Sequence, residues 1–121
     1  MTRPNTASDG SAAPAPLTPV AFDVLLSLLA GPAHGYAIMR AVEERSPGEG
    51  GLHPGTLYRA LSRLVASGLI EEVDAPADAD SDERRRYYRL TPDGRRAAAV
   101  EARRLEARLG EARAHGLLGR A

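Results

Sequence analysis

Cysteine, tryptophan and lysine are absent from this chain of 121 residues, and one phenylalanine and four tyrosines are its aromatic side chains apart from histidine. Without cysteine there can be no disulfide and no thiolate metal site. The three histidines, His34, His53 and His115, are too scattered for a metal cluster, so neither a metal nor another cofactor is expected. No apolar run approaches the roughly 20 residues of a membrane helix, and no basic start precedes an apolar signal core. A soluble, cytoplasmic protein with no membrane partner is the expectation. The chain also lacks a phosphate loop, a Ser/His/Asp or Cys/His arrangement and paired carboxylates on adjoining helical turns, which sets an enzyme aside. Every cation is arginine, a bias we ascribe to genomic base composition and give no functional weight.

What is present is unevenly distributed. Net charge is zero, yet residues 1–80 hold 5 arginines against 10 acids and residues 81–121 hold 11 arginines against 6 acids. A nucleic-acid binder must neutralise phosphates with cations, so the segregation matters more than the sum. The length suits one small domain.

Residues 1–16 are Ala, Pro, Ser, Thr and Gly with little to bury, and read as a disordered tail. Thr18-Pro19 supplies a helix cap and a first-turn proline, and Val20, Val24, Leu25, Leu28 and Leu29 recur at helical spacing until Gly31-Pro32. A second helix starts near His34-Gly35, with Tyr36, Ile38, Met39 and Val42 as its apolar contacts, and stops at Ser46-Pro47-Gly48. Pro54 opens a third, whose buried stripe is Leu57, Leu61, Leu64 and Val65. Leu69 to Val73 and Arg86 to Leu90 read as strands around a mobile loop, residues 74–83. The period of two puts Tyr88 and Leu90 inward and Tyr87 and Arg89 outward. Thr91-Pro92-Asp93 then caps a final helix of about 24 residues, roughly 36 Å long.

This order describes a mainly α fold with a small β-hairpin: a winged helix-turn-helix over residues 17–91 and a long C-terminal helix over 92–121. In such a fold the third helix enters the major groove of double-stranded DNA. Its outer face offers Gly55 for close approach, Thr56 and Ser62 for phosphates or base edges, and Arg59 and Arg63 for guanine or phosphate. Tyr58 borders the buried stripe, so packing on the second helix competes with a DNA contact. Arg84, Arg85 and Arg86 end the inter-strand loop, either along the DNA backbone or paired with Asp80, Asp82 and Glu83. His34 and Tyr36 stand at a helix N-terminus, where phosphate binds readily, while Tyr36 is equally placed for the core.

Four blocks in order carry a resemblance: Leu28 to Ile38 (LLAGPAHGYAI), Leu52 to Leu61 (LHPGTLYRAL), Gly68-Leu69-Ile70, and Arg86 to Gly94 (RYYRLTPDG). Together they resemble the PadR family of bacterial transcriptional regulators, from Leu25 to at least Arg96. The resemblance implies a homodimeric repressor with an N-terminal winged helix and a single C-terminal dimerisation helix, often released from its operator by a small molecule. His53 stands where the family usually has a serine or similar cap. The terminal helix has no aromatic residue, unlike compact members that hold planar drugs between tryptophans.

Ala98, Ala102, Leu105, Leu109 and Ala112 follow steps of 4, 3, 4 and 3, a heptad seam for a second copy of the chain, with Glu101, Arg103, Arg104, Glu106, Arg108 and Glu111 on the remaining surface. The seam is alanine-rich and buries little area, so the alternative is that it packs on its own domain. A dimer would carry two recognition helices to a palindromic operator. Zero net charge keeps open a different function, a winged-helix protein-interaction module without operator binding.

Overall fold

Thr18 caps the first helix by accepting a hydrogen bond from the Ala21 N–H at 3.1 Å, while Pro19 sits where no N–H is needed. In this computed structural model the described residues are 16–45, 53–76 and 86–119. Among them run helix α1 (Pro19–Ser27), strand β1 (Ala33–His34), helices α2 (Gly35–Arg45) and α3 (Pro54–Ala66), strands β2 (Ile70–Val73) and β3 (Tyr87–Leu90), and helix α4 (Pro92–Ala114). Of the expected tail, only Pro16 falls within these residues; Asp80, Asp82, Glu83, Arg84 and Arg85 lie outside them.

Helices α1 to α3 meet on one apolar centre made of Val24, Leu25, Leu28, Ile38, Val42, Leu57, Leu61 and Leu64. Ile70, Tyr88 and Ala98 close it from the sheet and from α4. Two expected stripe members are corrected. Val65 and Leu29 are exposed, because the core takes α3 through the spacing 57, 61, 64 alone and α1 ends at Ser27, before the turn that would carry Leu29 inward.

The expected hairpin is present as β2 and β3, and β1 adds a third strand, giving an antiparallel sheet in the order β1-β3-β2. Ala33 pairs with Tyr88 and His34 with Tyr87, giving β3 a partner on both edges. On the other side Ile70 pairs with Leu90 and Glu72 with Tyr88. Tyr88 is buried and Leu90 packs against the core, while Arg89 is exposed, as the period of two requires.

The corner between α3 and β2 fixes how α4 leaves the domain. Gly68 adopts a positive φ of 78°, the Gly68 N–H donates to the Val65 carbonyl and the Leu69 N–H to that of Leu64, which ends α3 in a Schellman turn. Thr91 then ties α4 to that turn: its N–H donates to the Leu69 carbonyl at 3.1 Å, and its hydroxyl donates to the Gly68 carbonyl at 2.7 Å while accepting from the Gly94 N–H. The approach is so close that a Cβ at Gly94 would lie 2.8 Å from Leu90 Cδ1 and 2.9 Å from the Leu69 carbonyl carbon.

Glu101 corrects the reading of α4 as surface beyond its seam. It is 4% exposed, and its Oε1 accepts from the Leu17 N–H at 3.2 Å and from Arg104 at 2.7 Å. A buried carboxylate is tolerated only when its lone pairs are engaged, and here it fastens α4 to the segment leading into α1.

Candidate nucleic-acid interface

With Leu57, Leu61 and Leu64 buried, the rest of α3 faces outward: Tyr58, Arg59, Ser62 and Arg63 are exposed, and Gly55 and Thr56 are half-buried. His53 occupies the cap position without a side-chain cap bond: the Leu57 N–H donates to its backbone carbonyl at 3.1 Å, and none of the first N–H groups of α3 donates to its ring. The expected single reading face divides into two flanks. On one, Thr56, Arg59 and Arg63 look across a groove toward α1; on the other, Tyr58 faces the wing. Arg59 donates to the Thr56 hydroxyl at 3.5 Å, and Arg63 has no hydrogen-bond or ion-pair partner among the described residues.

The wing flank is a notch of about 300 Å3 lined by Gly35, Tyr36, Tyr58, Arg86 and Tyr88. It brings together residues from α2, from α3 and from the base of the wing. A Cβ at Gly35 would lie 3.3 Å from Tyr58 Oη, so that ring would have to give by a few tenths of an ångström. Tyr36 is 51% exposed and so stands outside the core, while Tyr58, 53% exposed, lies beside Gly35 of α2 and keeps its packing on the second helix. The Arg40 guanidinium lies 5.9 Å from the centre of the Tyr36 ring, within cation–π reach.

His34 has a more local task than a phosphate contact at its Nδ1, because that atom accepts from the Ala37 N–H at 3.1 Å and so caps α2. Its ring stands edge-on to Tyr87 at 5.3 Å between centres, which joins the start of α2 to β3.

Arg86 is the one residue of the arginine run among the described residues. It donates to Glu72 at 3.2 Å, both side chains being substantially exposed. Among the described residues its ion-pair partner is thus the cross-strand acid Glu72. Only the register shows this: Glu72 stands opposite Tyr88, two residues from Arg86. Arg89 pairs with Glu71 across the same two strands. Burial raises the Tyr88 phenol above its ordinary range; the Glu72 carboxylate adds to the rise and Arg86 opposes it.

On α4, Ala98 is 6% exposed and belongs to the chain's own core, so it leaves the expected seam. Ala102, Leu105 and Leu109 remain exposed and Ala112 half-buried. Leu105 and Leu109 are 40% and 44% exposed on a half-helix that extends beyond the domain's contacts at Gly94, Ala97, Ala98 and Glu101. Among the described residues no group of three His, Cys, Asp or Glu side chains is placed to hold a metal, and no helix is long and apolar enough to cross a membrane.

A model of the transcriptional regulator PadR-like family matches residues 24–100. Over 53 residues the chain is 45% identical to the transcriptional regulator Rv3488 of Mycobacterium tuberculosis, a match covering 44% of this chain and 47% of that one. Over 79 residues it is 42% identical to an uncharacterized 37.1 kDa protein in transposon TN4556 of Streptomyces fradiae, covering 65% of this chain and 21% of the other. The chain therefore spans less than half the length of these curated relatives. Among solved structures, a PadR family transcription regulator from Clostridium difficile R20291 is similar with a TM-score of 0.66 and 28% identity, over 84% of this chain and 100% of that one. Bacillus subtilis PadR in complex with operator DNA shares the fold, with a TM-score of 0.54 and 20% identity over 66% of this chain and 44% of the other.

Proposed function

The chain belongs to the PadR-like family of transcriptional regulators, a family of regulators rather than enzymes, and from that premise we propose that it is a homodimeric repressor that binds a palindromic operator. The observation that carries the reading is the convergence of three elements on one side of α3. Tyr36 at the start of α2, Tyr58 on α3 and Arg86 at the wing meet at the notch, beside the basic stretch of Arg59, Ser62 and Arg63. Hydroxyl and guanidinium donors so arranged suit a phosphate backbone, which positions the protein, while Arg59, Ser62 and Arg63 reach base edges. Bacillus subtilis PadR, which shares the fold, is bound to operator DNA in its own structure.

A second copy joins through Ala102, Leu105, Leu109 and Ala112. Docking of Gly94 to Glu101 on the domain leaves this distal half of α4 to reach the partner and to separate two recognition helices by the roughly 34 Å of one DNA turn. A small-molecule effector releases the operator.

Mobility shift of DNA from the chain's own upstream region, against random DNA at two stated salt concentrations, tests the reading. The expected preference is about 1,000-fold or more, and equal affinity for both removes it. Arg63→Ala weakens specific binding by about 1–3 kcal/mol if Arg63 reads a base, or lowers the salt slope by about 1 if it contacts phosphate. Retention of both affinity and slope takes Arg63 out of the interface.

A further inference from the structure

We propose that Glu101 is a positioning residue: it sets the angle at which α4 leaves the domain, and through that angle the half-site spacing that a dimer accepts on DNA. Control of spacing rests on the operator-binding reading above; control of the angle does not.

Glu101 is the one buried polar or charged side chain among the described residues, and it stands where α4 stops touching its own domain. Gly94, Ala97 and Ala98 are buried before it, and from Ala102 to Ala114 every residue of the helix is exposed or half-buried. The inner half of α4 therefore rests on its domain through glycine and alanine. Without large side chains to interlock as ridges and grooves, apolar contact alone leaves the tilt and rotation of a helix weakly fixed. Directional bonds supply what is missing. Thr91 ties one end of the helix to the α3–β2 turn, and two turns further on Glu101 Oε1 accepts from the Leu17 N–H at 3.2 Å and from Arg104 at 2.7 Å. Leu17 packs against the core, so its N–H is a fixed point of the domain.

Stability does not explain a carboxylate in this place. Taking a charge out of water costs much of what its bonds return, and an apolar side chain of similar size is often neutral or stabilising at such a position. What a buried acceptor adds is one arrangement in place of several. The position of Glu101 gives that arrangement leverage. It lies roughly 10 Å along the axis from Gly94, and Leu109 lies roughly 22 Å along it, so a shift of about 1 Å at the acid becomes about 2 Å at the exposed half of α4. A two-fold axis doubles this to about 4 Å between protomers, more than the roughly 3.4 Å of one base-pair step.

The chain has no cysteine, so Glu44→Cys on α2 and Arg108→Cys on α4, both exposed positions, carry two nitroxides with no competing label site. Pulsed electron paramagnetic resonance on the full chain, with labelled protein diluted in unlabelled, reads the distance within one protomer. The parent and Glu101→Gln, whose amide oxygen still accepts from Leu17, are expected to give one narrow distribution. Glu101→Met, equal in length and without that acceptor, is expected to give a distribution at least about twice as broad while melting no lower than the parent. On the upstream fragment that mobility shift selects, one base pair added to or removed from the centre weakens the parent and Glu101→Gln at least about tenfold and Glu101→Met less than about threefold, with equal affinity of all three for a single half-site.

A distribution in Glu101→Met as narrow as the parent's, or one in Glu101→Gln as broad as that of Glu101→Met, overturns the proposal. So does a Glu101→Met chain that does not fold, which would make Glu101 a residue of stability instead. If the distribution broadens while the spacing preference keeps its parent value, control of spacing falls and control of the angle stands. If the distribution broadens and no fragment is preferred over random DNA, the operator-binding reading falls and takes control of spacing with it, while control of the angle again stands.

Discussion

Two glycines of α4 respond in opposite directions to the same substitution, and the difference is set by what each one touches. In an open helix interior, alanine in place of glycine stabilises by up to about 1 kcal/mol. Gly110 meets that condition, with nothing within 4 Å of its would-be Cβ. Gly94 does not: its Cβ would fall inside the contact radius of the Leu69 carbonyl oxygen and 2.8 Å from Leu90 Cδ1. That carbonyl cannot retreat freely, since it accepts from the Thr91 N–H, while the Thr91 hydroxyl bonds Gly68 at 2.7 Å and Gly94 at 2.9 Å. Relieving the clash pulls α4 from the α3–β2 turn and forfeits two or three hydrogen bonds at about 1 kcal/mol each. Set against the helix gain, the net loss is about 2 kcal/mol. For a domain of this size that is a fall in Tm of roughly 10 °C. Thermal and urea unfolding followed by circular dichroism, at one protein concentration to hold any dimer contribution fixed, reads both variants. Gly94→Ala melting at or above the parent, with an unchanged denaturant slope, would refute the close-approach argument.

Leu105→Glu, on the exposed distal half of α4, is expected to give monomers by light scattering while the far-ultraviolet spectrum stays that of the parent; an unchanged mass moves the interface elsewhere. Tyr88 makes stability fall at alkaline pH. Its folded pKa is raised above 10.0 by burial and then by Glu72, so an unfolded tyrosine ionises first, and the advantage of the neutral buried phenol is full below pH 10.0 and drains as pH climbs through the folded value. Above pH 10.0 the loss of stability should therefore be steeper in the parent than in Tyr88→Phe, and parallel curves would dismiss the linkage.

Much of the architecture is legible in short stretches of chain. Thr18-Pro19 and Thr91-Pro92 start their helices as their residue types dictate, and both threonines make the capping bonds expected of them. Leu57, Leu61 and Leu64 bury at helical spacing, and Tyr88 turns inward at strand spacing. The candidate site is legible less evenly. Arg59, Ser62 and Arg63 are exposed as their polarity requires, but nothing in their spacing shows that Arg59 and Arg63 also border a groove with α1. Strand β1 escapes notice because two residues, Ala33 and His34, carry no periodic signal; they are a strand only because β3 offers them an edge.

By itself, then, the sequence determined where helices begin, that Leu57, Leu61 and Leu64 face the core, and that Arg59, Ser62 and Arg63 stay exposed. These are consequences of capping, period and polarity acting within a few residues. Only the tertiary structure decided that Ala98 serves the chain's own core, that Glu72 holds Arg86, and that Glu101 is buried to hold the N–H of Leu17 across a separation of 84 residues. Those outcomes depend on which surfaces the folded chain brings face to face, and a contact between distant segments leaves no pattern in either segment alone.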